Sequence, residues 1–215
     1  MQQAMKRLLA ARVRAVFHDK AKGEGPVQRR PDGLFGPGSV AWRVHSDVTT
    51  MMVGGIAALL LQMLHPAVLA GVWDHSNFRG DMLGRLRRTA RFIALTTYGS
   101  RGEAGAAIAE VRAIHGHVKG TLPGGETYIA SDPELLAWVH ATESVSFLDA
   151  WIRYAEPHMS LADQGRYFAE VAVAARGLGP TEAPTTRAGT EAFIDGARPR
   201  LRADNRTREV AKLLL

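Results

Sequence analysis

Apolar residues are distributed along this chain in two ways. Over residues 50–73 they run almost unbroken, as TMMVGGIAALLLQMLHPAVLAGVW, whereas elsewhere they recur at three- and four-residue spacing. The unbroken run is as long as a membrane span. Against that reading, Gln62 and His65 would sit in hydrocarbon, Pro66 would break the backbone ladder, and Gly54, Gly55 and Gly71 interrupt the run. A helix enclosed by other helices is also apolar on every side. The pattern therefore predicts a central buried helix over residues 54–64. It should end near His65 and Pro66, because proline pushes the residue before it out of helical geometry.

The punctuation around this run predicts further helices. RRPDGLFGPGSV is a glycine- and proline-rich loop, and SNFRGD separates the run from a helix over about 82–98. YGSRGEAG turns the chain into the segment EVRAIHGHVKG, where a stripe of Ile108, Val111, Ile114, His115 and Val118 predicts a helix stopped by Gly120. After the turn GTLPGGETY, Asp132 as N-cap and Pro133 at the first helical position open another long helix. GLGPTEAPTTRAGT is a connector before a shorter helix or two, and the closing VAKLLL is expected to be a helix cut short. No stretch alternates as a strand would. The expected architecture is an all-α, single-domain, multi-helix bundle around one buried helix. An N-terminal basic helix and linker should occupy residues 1–32, and the helical domain residues 33–215.

Composition changes this picture only at its edges. The chain has 215 residues, enough for one sizeable core, and no cysteine, which excludes disulfides, thiolate metal sites and a cysteine nucleophile. A net charge of +6 would suit nucleic acid or an anionic membrane. The arginines are scattered rather than gathered on a nucleic-acid motif, so no nucleic-acid partner is expected. The arginine-threaded start, MQQAMKRLLAARVRAVFHDK, lacks the continuous apolar core of a signal peptide, and the expected location is cytoplasmic. As a basic amphipathic helix, it leaves open a peripheral membrane contact. HExxH, paired Glu-x-x-His, a P-loop and GxGxxG are all missing, which leaves metal-only and nucleotide chemistry without support.

Two groups of polar residues stand out against the apolar faces. At about 100° per residue, His115 points inward with its stripe while His117 turns away with Glu110 and Ala113, so the two rings cannot share a metal ion. His140 and His65 also face inward. A core histidine bonded to backbone is the commoner meaning of each such residue, and the sequence does not show whether the three meet. On the helix at 82–98, Leu83, Leu86, Ala90, Ile93 and Ala94 form an apolar face. Arg85, Arg88, Thr89, Phe92 and Thr96 form a second face, mixed in a way that suits either a pocket wall or an exposed arginine surface.

In their order, GLFGPGSVAWRVHSD, GGIAALLLQMLHPAVLAGVWDHSNF, RLRRTARFIALTTYG, EVRAIHGHVKG and YIASDPELLAWVHATESVSF resemble a bacterial domain family. That family is grouped with the rubber oxygenase (latex clearing protein) and the fungal ER-bound oxygenase of mycophenolic acid biosynthesis. DQGRYFAEVAVAARGLG adds a weaker match. The resemblance implies a globin-like helical bundle holding haem b between helices. It implies a haem-dependent oxygenase whose partners are dioxygen and a small hydrophobic substrate. His115, the first histidine of H-x-x-V-x-G, is implied as the iron ligand, with His140 and then His65 as second and third choices for the cofactor. Arg85 and Thr89 match the family's distal arginine and threonine. Arg88 stands where the rubber oxygenase has a lysine that can cap iron. A guanidinium has no lone pair to give, so Arg88 is expected to meet a propionate or solvent. No catalytic carboxylate can be matched, and rubber cleavage is not carried over. A non-enzymatic haem-binding or sensing domain, and a helical nucleic-acid-binding regulator, remain the alternative readings.

Overall fold

The computed structural model describes residues 25–179 and 182–215. The helices are α1 (Val40–Val44), α2 (Val48–Gln62), α3 (Pro66–His75), α4 (Met82–Tyr98), α5 (Arg101–His117), α6 (Pro133–Tyr154), α7 (Leu161–Leu178), α8 (Arg187–Ala197) and α9 (Asn205–Leu214). Between α5 and α6 lies a hairpin of β1 (Lys119–Thr121) and β2 (Thr127–Ile129). The expected basic helix over residues 1–19 lies outside the described residues.

Helix starts follow the local chemistry. The Asp47 side chain accepts from the amides of Thr49 and Thr50 to open α2. Ser100 and Glu103 form a reciprocal capping box on α5, and the Asp132 carboxylate accepts from Glu134 and Leu135 to open α6. The long apolar run breaks where proline requires it. His65 is extended (φ −83°, ψ 118°) and Pro66 is the first residue of α3, which leaves α2 at 104°. No single helix among the described residues is long and apolar enough to cross a membrane.

The hub of the molecule is α6 rather than the segment over 54–64. Ten residues of α6 are buried, including Trp138, Phe147 and Leu148, and α2 packs along it in the largest helix–helix contact. Only one stripe of α2 is buried: Thr50, Gly54, Ala58 and Gln62, at helical spacing. Gly54 sets that approach, because a Cβ there would come within 2.8 Å of the Ser146 carbonyl and 2.9 Å of the Phe147 Cα. On the outer side Val53 is 41% exposed. The helix is apolar all round for two reasons: one side packs on α6 and much of the rest lines a cavity.

The hairpin corrects the expectation of no strands. Helix α5 ends at His117, and Gly120, instead of stopping that helix, lies in β1 opposite Tyr128. The Tyr128 ring fills the place a side chain at 120 would take, 2.7–2.9 Å from its Cβ. Strands of three residues with one buried side chain between them leave no periodicity to read. The α5 stripe is also shallower than its spacing implies. Ile114 is 53% exposed, and only Ala104 and Ala107 of this helix are buried.

Candidate functional site

Two cavities flank α4, and they share four wall residues: His45, Ile93, Glu143 and Phe147. The larger, about 380 Å³, lies between α2 and α4. Met51, Gly55, Ile56 and Leu59 form one wall, and Leu86, Ala90, Ile93 and Ala94 the other. The second wall is the apolar face expected of this helix. The smaller cavity, about 90 Å³, lies on the opposite side of α4, against α6 and α7. Phe92, Thr96, Thr97, His115 and His140 line it. So the apolar face of α4 looks into the larger cavity, while the mixed face divides: Phe92 and Thr96 line the smaller cavity, Thr89 the larger, and Arg85 and Arg88 neither.

The smaller cavity brings two of the three inward histidines together. His115, half-buried at the end of α5, is held below its ordinary value by burial, with the Arg85 charge adding to the effect. Burial takes His140 down to about 4, helped by Arg176, and its Nε2 has no hydrogen-bond partner among the described residues. Both rings are therefore uncharged near neutrality, with a nitrogen lone pair available. His65 is elsewhere. It precedes α3 beside the Trp138 ring at 6.1 Å, near Arg200, Glu134 and Asp132, and lines neither cavity. His117 is exposed.

Arg85 and Thr89, a turn apart, face different surroundings. The Arg85 guanidinium donates to the Ser76 hydroxyl at 3.2 Å, is largely desolvated, and acts on His115. The Thr89 hydroxyl donates to the Arg85 carbonyl at 3.3 Å, and its side chain lines the larger cavity, which Arg85 does not. Arg88 is exposed and pairs with Asp81 at 3.6 Å, so its charge is spent on the helix's own N-cap.

The partition between the cavities holds two titratable residues that sequence reasoning missed. Burial pushes the Glu143 carboxyl up to about 7, opposed by a hydrogen bond with Gln62. Burial also takes His45 down to about 4. The His45 ring is fixed at both nitrogens, with Nδ1 2.8 Å from the Thr97 hydroxyl and Nε2 3.0 Å from the Tyr167 hydroxyl. Tyr167 itself is raised well above its ordinary value by burial and by Glu143 and Glu170. Glu143 did leave a signal. In LAWVHATESVSF it stands four residues after Val139 and four before Phe147, a carboxylate on an apolar stripe. His45 left none, because α1 is only five residues long.

A family model described as "ER-bound oxygenase mpaB/B'/Rubber oxygenase, catalytic domain" matches residues 42–215. No curated protein and no solved structure matches this chain.

Proposed function

The chain belongs to the family of the ER-bound oxygenase and rubber oxygenase catalytic domain, and from that premise we propose that it is a haem b-dependent oxygenase acting on dioxygen and a hydrophobic substrate. The observation that carries the reading is the pair of uncharged histidines opening onto one cavity that shares its walls with a larger apolar one.

The donor set fits haem. A neutral imidazole at His115 can give a lone pair to iron, and Arg85 beside it offers a guanidinium for a carboxylate or for developing negative charge. His140, with its free Nε2, is the alternative donor on the same cavity. At about 90 Å³ this cavity holds only a few waters, so seating a macrocycle requires a wall to yield. Helices α4 and α5, with two buried residues each, are the walls least tied to the core.

Bound haem supplies the activation of dioxygen; the rest is done by this chain. The apolar walls of the larger cavity exclude water and bind the substrate body. Arg85 holds positive charge next to His115, and Thr89 offers an oxygen on the substrate side. Glu143, raised to about 7 by burial, can hold or release a proton near neutral pH on the boundary between the cavities, and Gln62 orients it. His45, fixed at both nitrogens, holds that boundary in place.

Protein made with ample haem supply should keep a Soret band through desalting. Arg85→Ala and Thr89→Ala should keep the band and lose dioxygen-dependent turnover. Protein that never acquires a Soret band overturns the proposal.

A further inference from the structure

The inner wall of the larger cavity carries a single carboxyl group. Glu143 is deep in the molecule, and the part of its surface left uncovered opens onto the cavities it lines. Its side-chain partner is Gln62, and their bond favours the ionised carboxyl, so the Gln62 amide donates and Glu143 accepts. The same amide nitrogen lies 3.5 Å from the Val139 carbonyl, which turns the donor end of Gln62 toward α6. Burial raises the carboxyl to about 7, so at pH 6 it is mostly protonated and has an O–H to give. Gln62, acting as donor, does not take that hydrogen. A donor without an acceptor away from water is costly, which favours a ligand that accepts there.

The charges around this space disfavour ions of either sign. Arg29 and Arg91 line its mouth beside the exposed Gly25 and Pro26. Arg29 stacks on Tyr98 and Trp42, 4.7 and 5.9 Å from their ring centres, and Arg91 donates to the Gly25 carbonyl at 3.5 Å. Both guanidinium groups are engaged by the protein, yet their charge repels a cation that passes them. An anion taken inward would meet another carboxyl and lose its hydration, with the lining arginines already occupied. The walls also include small residues, Gly55 and Ala58 from α2 and Ala90 and Ala94 from α4. A Cβ at Gly55 would touch only the Phe147 ring, at an ordinary 3.6 Å, so the protein's own packing leaves this space open.

We propose that the larger cavity holds an uncharged, largely apolar alcohol, with its hydroxyl on the Glu143 carboxyl and its hydrocarbon body between α2 and α4. A hydroxyl accepts from the protonated acid and donates to the ionised one, so it suits both forms. The binding claim stands on the cavity alone; that the alcohol is the substrate rests on the oxygenase reading above.

The test uses the full chain in titration calorimetry at pH 6. The probes are decan-1-ol, decanoate and decyltrimethylammonium, each below its aggregation limit. The alcohol should bind about tenfold or more tightly than either ion. Glu143→Leu should lower its affinity by about tenfold, whereas Glu143→Gln, which still offers an N–H, should keep most of it. Gly55→Leu places a better helix former at this position and fills the cavity, so it should fold and bind no alcohol. Infrared spectroscopy reads the contact itself. The C=O band of the protonated carboxyl, identified by its loss in Glu143→Gln, should shift when decan-1-ol binds. Absence of alcohol binding, equal or tighter binding of either ion, or an unshifted band with alcohol bound overturns the proposal. So does undiminished alcohol affinity in Glu143→Leu or in folded Gly55→Leu. His115→Ala should bind decan-1-ol as the parent does, so a failure of the haem assignment leaves this result standing and is told apart from it.

Discussion

The two cavities are built from different kinds of residue. The larger is walled mostly by helical-period apolar side chains from α2 and α4, with arginines at its rim and the shared His45 and Glu143 on its inner side. The smaller draws on α4, α5, α6 and α7 and contains histidines, threonines and a carboxylate. The first is a shape bounded chiefly by two helices, α2 and α4. The second gathers titratable groups whose charge states are set by their own burial and by neighbouring arginines. Hydrophobic packing therefore dictates the larger cavity, and electrostatics dictates what the smaller one can do.

The largest effect should come from removing the frame on which both depend. Gly54→Val would drive a side chain into the Phe147 backbone and separate α2 from α6. Overpacking of this kind costs about 1–3 kcal/mol, occasionally more, a large share of a domain's stability. Loss of the cooperative thermal transition, or a much lower midpoint, is expected. An unchanged midpoint would mean that the close α2–α6 contact does not hold the cavities open.

A second test separates the electrostatic region from the packed one through pH. Between about 4 and 6.5 the folded state keeps His45 and His140 neutral while the unfolded chain protonates them, so stability rises with pH. His65 and His115, also lowered, add to the rise. Glu143 acts oppositely. Between 4.5 and about 7 it keeps its proton only when folded, so stability falls as pH rises through that window. The sum is a rise to about pH 6.5, then a fall to about pH 7. Glu143→Gln should abolish the fall and make the protein more stable than the parent at pH 8, on the order of a few kcal/mol. Urea midpoints across pH measure it; a parallel pair of curves would place the carboxyl in water.

The smallest effect is predicted at Arg88. Its pair with Asp81 is exposed at both ends, and such pairs are worth about 0–1 kcal/mol. Arg88→Ala should leave stability and cavity binding close to those of the parent, and a large loss of either would assign it a role inside the site.

The same contrast explains what the sequence revealed. The helices of the described residues, the break at Pro66 and the apolar face of α4 follow from local spacing, and the structure has them; the mixed face of α4 divides between the two cavities and solvent. The role of α2 was harder to read, because an apolar residue facing a cavity and one facing a core look alike in a sequence. Ile114 misled because periodicity gives direction, not depth. The meeting of His115 with His140, and the separation of His65, depend on how α5 and α6 pack, which no local pattern encodes. Glu143 was legible as a carboxylate on an apolar stripe. His45 acquires its place only through Thr97 and Tyr167, residues 52 and 122 positions away.

The central claim is that His115 holds the haem iron on the smaller cavity. The most direct measurement is the absorption spectrum, after haem-supplemented production and desalting, of the parent protein beside His115→Ala, His117→Ala and His140→Ala. The account predicts a Soret band near one haem per chain in the parent, in His117→Ala and in His140→Ala, and none in His115→Ala. A full band in His115→Ala, or equal loss from His115→Ala and His117→Ala, would contradict it.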